Sequence, residues 1–452
     1  MKLAVIADPH YYSRALGCAG EAYELRSGSD QKFLAETGDI VQAAFERLAQ
    51  ERPDAVLIAG DLTDNGEALS HEEFRELLRN LQRQVPVYVI TATHDWCSDG
   101  RNKRYEGGRE IFDVATLKSG ELRDYYADFG PNQAFSEYTT AIGTSSCAIA
   151  LSDEVTLLAL NDDQNGKGRA GYDTAHLQWI LARLAEAKAE GKTVVAMQHH
   201  LLCAHIDGLF SNGMRIGDAD EIAAALADAG LRYLITGHSH MHDIAAYLSP
   251  AGNAIYDINV GSVCGYPAPI LLLELADGAA RLRTIYLEGF RFAEHAGQMI
   301  TRVFDGAAMG KDEFIKRVNA LGANGTQLAK FYPLIRPALS HLRKISVPRA
   351  AKLLCLLTFG KAIRRRELRE LPDIPALELA LRVFLSSFEG GALLAPGSGA
   401  YQAAMAAARA PGCFVKNSLT RRLPTAMDRL LRGNPLMANM RAGETVTLAA
   451  PD

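Results

Sequence analysis

Apolar residues in the first part of the chain come in short runs that stop abruptly at polar ones. Leu3–Ala7, Ala55–Ala59, Val87–Thr91, Thr193–Gln198 and Tyr233–Thr236 are runs of this kind, rich in β-forming residues, each ending where charged or imidazole side chains begin. Between them the period lengthens. Asp39–Gln50, Ser70–Gln84, Thr174–Ala189 and Ala219–Ala229 repeat apolar residues at the three- and four-residue spacing of amphipathic helices. This alternation predicts an α/β domain with its functional groups at the carboxyl ends of the strands. Three later runs, Ala254–Asn259, Ile270–Leu275 and Arg281–Tyr286, lie close together with turn residues between them and predict a second, more antiparallel sheet. From about residue 291 the strand signals stop, and an Ala/Leu/Arg-rich pattern predicts helices. Two stretches, Tyr11–Gly38 and Trp96 to about Thr144, interrupt the N-terminal pattern and are expected as insertions over the site.

Charge sharpens the boundary. Residues 1–290 carry an acidic excess of about 17 and residues 291–452 a basic excess of about 12, although the whole chain is only -5. The expected division is therefore an α/β domain over 1–290 and a mainly helical domain over 291–452. With 452 residues and 48% hydrophobic content, a full core is available to both. No apolar run approaches the roughly 20 residues of a membrane span. Seven cysteines at irregular spacings, none in a Cys-x-x-Cys pair, suit reduced thiols better than a disulfide framework. Met1 leads directly into a strand without a signal-peptide pattern, so a cytoplasmic protein is expected.

The polar residues at the strand ends have a common chemistry. Asp8-Pro9-His10, Gly60-Asp61-Leu62-Thr63-Asp64, Thr93-His94-Asp95, His199-His200 and Gly237-His238-Ser239-His240 gather carboxylates and imidazoles, the donor set of a two-metal hydrolytic centre. Asp8 and His10 alternate, as do His238 and His240, so each pair shares one face. Adjacent His199 and His200 point apart, and only one can easily face the same ions. Asp64 reads as a partner that fixes an imidazole or its loop. Nitrogen and oxygen ligands together suit Mn, Fe or Zn more than Ca or Mg.

The order of these motifs resembles the calcineurin-like metallophosphoesterases: D-x-H, G-D-x-x-D, G-N-H-D/E, a lone His, then G-H-x-H. Gly171-Tyr172 with Gln178-Trp179, and Asn259-Val260-Gly261-Ser262, extend the resemblance to roughly residues 1–288. It implies two packed mixed β-sheets flanked by helices, a four-layer sandwich, with the C-terminal helices as an appendage. It further implies two divalent transition-metal ions, one on Asp8, His10, Asp61 and His240, the second on Asp61, His199, His238 and position 93. There Thr93 replaces the family's Asn, a poorer donor on a shorter side chain. A hydroxide bridging the ions would attack phosphorus, with His94 protonating the leaving oxygen and Asp95 fixing its tautomer. The expected activity is hydrolysis of a phosphate mono- or diester. Thr93 and the basic C-terminal region motivate two alternatives, an inactive binding or scaffold protein and a nuclease.

Substrate contacts are sought in His200, Arg101 and Arg104, the arginines belonging to a cationic group with Lys103 and Arg109 in the second insertion. There is no interleaved basic and aromatic strip of the kind that grips single-stranded nucleic acid. The densest cationic stretch, Lys361 to Arg366 after the apolar Leu353–Phe359, is expected to meet the acidic N-terminal domain rather than a membrane surface. Oligomeric state and substrate identity carry no sequence signal.

Overall fold

The computed structural model describes residues 1–208, 213–276, 278–320, 332–333, 336, 344–390, 394–441 and 443–448. Fifteen strands are assigned among them. The N-terminal ones are β1 (Lys2–Ile6), β2 (Ala55–Ala59) and β3 (Val87–Ile90), followed by a hairpin of β4 (Arg104–Glu106) and β5 (Arg109–Ile111). Next come β6 (Ala134–Thr139), β7 (Ser145–Ala150), β8 (Val155–Ala159), β9 (Thr193–Met197) and β10 (Tyr233–Thr236). The last are β11 (Asp243–Leu248), β12 (Ala254–Asn259), β13 (Pro269–Ala276), β14 (Ala279–Tyr286) and β15 (Val446–Leu448).

Period-two alternation divides these strands between two packing faces. Leu3, Val5, Leu57 and Ala59 point into a core shared with Val195, Met197, Ile235 and Ile258, the interior between two stacked sheets. Their neighbours Ala4, Ile6, Val56 and Ile58 point outward, against Ile40, Ala44, Phe45, Phe74 and Leu78 of the helices Thr37–Glu51 and Ala68–Gln82. On the opposite side Ala148, Leu158, Ala196 and Leu234 meet Ile180, Leu184, Ile222 and Leu226 of Thr174–Ala189 and Ala219–Asp228. Helix, sheet, sheet, helix is the four-layer arrangement expected.

Strand allocation differs from expectation. The first sheet has the order β15-β14-β13-β1-β2-β3 and the second β11-β12-β10-β9-β8-β7-β6. β9 and β10, expected beside β1, lie in the second sheet. β13 and β14, expected in the second, return antiparallel to the free edge of β1. Alternation marks a strand but not the edge it will join, so the sequence left that choice open. The second insertion is also shorter than expected. β6, with alternate residues half-buried and exposed, lies inside Trp96–Thr144 and forms the edge of the second sheet.

The C-terminal region is mainly helical. Val347, Ala351 and Cys355 of the helix Val347–Leu357 form a separate core with Leu379, Tyr401, Ala404 and Leu431. It also contributes a strand that its pattern did not announce: β15 pairs antiparallel with β14 through Arg281↔Thr447. Among the described residues, no helix is long and apolar enough to cross a membrane.

Candidate metal centre

The parallel ladder between β1 and β2 continues past both strands, and this aligns the first two motifs. Asp8 N donates to Gly60 O at 3.2 Å, His10 N to Asp61 O at 3.0 Å and Tyr11 N to Leu62 O at 2.9 Å. Close approach sets the glycines. A Cβ on Gly60, which sits at φ +84°, would lie 2.6 Å from His199 Nδ1, and one on Gly237 would lie 2.4 Å from Asp8 Oδ2. Backbone amides hold the carboxylates: His238 N donates to both oxygens of Asp8 at 3.1 and 3.0 Å, and His94 N to Asp61 Oδ1 at 3.1 Å.

Three overlapping groups result, Asp8 with His10 and His240, His10 with Asp61 and His94, and Asp61 with His199 and His238. Within each, one ligand atom per residue lies within 4.8 Å of the others. His10 Nε2 is 2.9 Å from His240 Nε2 and 3.7 Å from Asp8 Oδ1. His199 Nδ1 donates to Ala59 O at 2.9 Å and its Nε2 faces Asp61 Oδ2 at 3.0 Å. Burial lowers the His199 pKa, but Asp61 outweighs it and raises it well above its ordinary value, so a cation bound here would take the place of that proton. That Nε2 is buried and makes no hydrogen bond, as a ligand atom aimed at a cation would be. Burial, seconded by Lys32, holds His10 well below its usual pKa, and burial with His200 and His199 does the same for His238. Both are thereby kept as neutral imidazoles, the form that binds metal. Burial pushes the Asp61 carboxyl up, but His199, which also bonds it, and His94 outweigh it and keep it ionised. Buried carboxylates shared between two clusters of imidazole nitrogen fit a pair of divalent transition-metal ions.

Asp95, expected behind His94, serves another role. Its carboxylate accepts from Thr63 N, Thr63 Oγ1 and Ala92 N at 2.9, 3.1 and 2.8 Å and ties the two motif loops together. Burial, with Asp61 nearby, pushes its carboxyl up to about 8. His94 instead sets its Nδ1 on the carbonyl of Asp64, which fixes that nitrogen as the donor. Thr93 is half-buried in this loop, and its carbonyl accepts from Ser98 N at 3.0 Å.

Behind Asp64 lies a network that no motif announced. Lys32, 3% exposed, places Nζ 3.0 Å from Asp64 Oδ1 and 3.5 Å from Asp30. Arg26 reaches Asp64 at 3.1 Å and Asp30 at 2.6 Å. The first insertion is thus anchored on the residue that positions His94. Asp162 was also missed. It follows β8 and accepts from the amides of His199 and His200 at 3.3 and 2.8 Å, a strand-end position that could have marked it.

A cleft of about 980 Å³ opens at His94. Arg26 and Lys32 line it from the first insertion, Arg101, Lys103 and Arg109 from the second, and Met299 and Lys316 from the C-terminal helices. Arg104 is not among the lining residues. It pairs with Asp113 at 2.8 Å and with Glu106, the carboxylates its own hairpin supplies. His200 does not line the cleft either. It lies behind the cluster, its ring 4.2 Å from that of His238 and its Nδ1 3.3 Å from Asp162 Oδ1.

Comparison with known proteins identifies the family. The model of the calcineurin-like phosphoesterases matches residues 1–242. A cAMP/cGMP dual specificity phosphodiesterase of Mycobacterium tuberculosis is 21% identical over 225 residues, 49% of this chain and 60% of that protein. The chain thus spans less than two thirds of that relative. A probable cyclic nucleotide phosphodiesterase of Rhodococcus erythropolis is 21% identical over 328 residues, 71% of this chain and 91% of its own. Among solved structures, a dimetal phosphatase from Danio rerio aligns with 63% of this chain and 95% of its own at 13% identity and a TM-score of 0.45. Purple acid phosphatase from yellow lupin seeds aligns with 63% and 51%, at 11% identity and a TM-score of 0.40.

Proposed function

The chain belongs to the calcineurin-like phosphoesterase family, and on that premise we propose that it hydrolyses a phosphate mono- or diester with two divalent metal ions. The observation that carries the reading is the set of three linked carboxylate and imidazole groups, one of whose members, His94, lines a cleft bordered by both cations and carboxylates. Asp8, His10, Asp61 and His240 would hold one ion. Asp61, His199 and His238, with Thr93 or a water in its place, would hold the other. When bound, such a pair would supply a water of lowered pKa as the nucleophile and would neutralise the phosphoryl oxygens.

The side chains of this chain do the rest. His94, with Nδ1 committed to the Asp64 carbonyl, has Nε2 left for the substrate; as the imidazolium it gives the Nε2 proton to the leaving oxygen and is left as the neutral Nδ1–H ring. Asp64, locked by Lys32 and Arg26, keeps that imidazole in place. Arg101, Lys103 and Arg109 draw an anionic substrate toward the cleft. The relatives that act on cyclic nucleotides make these one substrate class to test, and the nitrogen and oxygen donors make Mn, Fe and Zn the metals. Seven free thiols favour a reducing, cytoplasmic setting.

A screen supplemented with these metals, against phosphomonoesters, cyclic nucleotides, linear diesters and pyrophosphates, tests the proposal beside an Asp61→Asn control. Turnover of at least one ester class is expected, with nearly all of it lost in Asp61→Asn together with stoichiometric metal. Metal uptake without turnover of any class would favour the scaffold reading that Thr93 motivates.

A further inference from the structure

The basic C-terminal stretch does not meet the acidic N-terminal domain as the sequence led us to expect. Arg364, Arg365 and Arg366 are exposed, and no ion pair joins any of them to a carboxylate among the described residues. Contacts of opposite charge between the two regions are made elsewhere, by Arg422 with Asp207 at 2.9 Å and Lys316 with Glu21 at 2.9 Å. From residue 344 to residue 366 the chain has seven Lys and Arg and no Asp or Glu.

The same stretch exposes large apolar side chains. The helix Val347–Leu357 is fixed by one face, where Val347, Ala351 and Cys355, spaced by four, are buried in the helical core. Its other face presents Leu353, Leu356 and Leu357 at 50, 71 and 51% exposure, and Phe359 just beyond it is 91% exposed. Four of the ten large hydrophobic side chains exposed in the described molecule thus fall within seven residues. Single exposed leucines need no explanation, whereas a contiguous apolar face marks an interaction surface. Lys352 lies among these residues, Arg349 precedes them, and Lys361 and the three arginines follow, all exposed.

We propose that this face docks on an anionic phospholipid surface, Leu356 and Phe359 entering the headgroup boundary and the surrounding Lys and Arg pairing with lipid phosphates. Charge complementarity selects the occupant. A second copy meeting the same patch would oppose six cations with six cations. Nucleic acid would match the charge but gives nothing to three exposed leucines. A bilayer interface matches both, since apolar side chains on a basic helix are what such a surface binds.

Co-sedimentation of the full chain at low salt tests this, with phosphatidylcholine vesicles alone or containing phosphatidylglycerol. Binding is expected only where phosphatidylglycerol is present. The combined R364Q, R365Q and R366Q variant should bind roughly a hundredfold more weakly, from about fivefold per basic residue. The Leu356→Ser, Phe359→Ser double variant should lose at least tenfold, with unchanged helical signal and unchanged turnover of a soluble ester. Equal binding to both vesicle types, or vesicle binding unaltered in either variant, overturns the proposal. So does retention on single-stranded RNA without retention on vesicles, or a dimer in solution that Leu356→Ser dissociates.

Discussion

Asp8, His10, Asp61, His238 and His240 all sit at positive φ, between 41° and 65°. For residues other than glycine that region costs roughly 1–2 kcal/mol each, a large fraction of the stability of a whole domain. Such strain persists only where surrounding bonds over-determine it. Here they do: Asp8 takes two bonds from His238 N, its carbonyl accepts from Ser262 Oγ at 2.8 Å, and the β1–β2 ladder fixes Asp61. The motif spacing announced which residues converge, but nothing in it announced their backbone conformation or their hydrogen-bond partners. Adjacency suggested that Asp95 supports His94, whereas the loop folds the carbonyl of Asp64 against the imidazole instead. On the roles proposed above, His94→Ala removes the proton donor and none of the residues assigned to either ion. Metal content should stay the same, while turnover of esters with poor leaving groups falls by about 10²–10⁴. Losses of equal size for good and poor leaving groups, measured over a leaving-group series, would make His94 a binding residue instead.

At the scale of elements, the strands that end in motifs were legible because each is a continuous apolar run stopped by polar residues. β6 was not, since Ala134–Thr139 is half polar and pairs only at an edge. The Arg26–Asp30–Lys32–Asp64 network was invisible because Arg26 lies on a helix of only seven residues, Glu21–Ser27, and its partners lie in irregular chain whose path no period records. One such buried group ties the loop after His200 to the second sheet. His205 Nδ1 is 3.1 Å from Asp243 and Nε2 3.4 Å from Asp257, which also accepts from the amides of Leu202 and Cys203. Burial depresses the His205 pKa, but Asp257 and Asp243 outweigh it and raise it to about 10. In the unfolded chain the imidazole titrates near its ordinary value of about 6.5. The folded state therefore binds the proton more tightly, and the stabilisation is complete below about pH 6.5 and lost progressively as pH rises toward 10. His205→Gln should cost about 3 kcal/mol at pH 6 and far less near pH 10. Urea midpoints at both pH values measure this, and a cost independent of pH would mean that His205 acts through packing alone.

The whole molecule is more connected than a domain with an appendage. The C-terminal region reaches the site from two sides. On one, Phe292 and His295 pack on Phe33 at ring separations of 5.2 and 4.3 Å, and His295 Nε2 meets Asp30 O at 3.1 Å, beside the network under Asp64. On the other, His242 N donates to Phe388 O at 2.7 Å, two residues after His240. Gly390 is the point of closest approach there. At φ +64°, a Cβ would lie 2.7 Å from Asp243 Oδ1 and 3.0 Å from His242 O. Gly390→Ala must therefore push on the loop that carries His240, although it touches no ligand. Metal affinity should fall about tenfold or more, as it does when groups that orient ligands are disturbed. Backbone strain alone would also destabilise the variant, and Gly397→Ala separates the two effects. Gly397 has φ +84° and nothing within 4 Å of its Cβ position. Both variants should lower the melting temperature, but only Gly390→Ala should weaken metal binding in a calorimetric titration. Equal metal affinity in the two variants would reduce the C-terminal region to a neighbour of the site, since contact without coupling is all that packing alone provides.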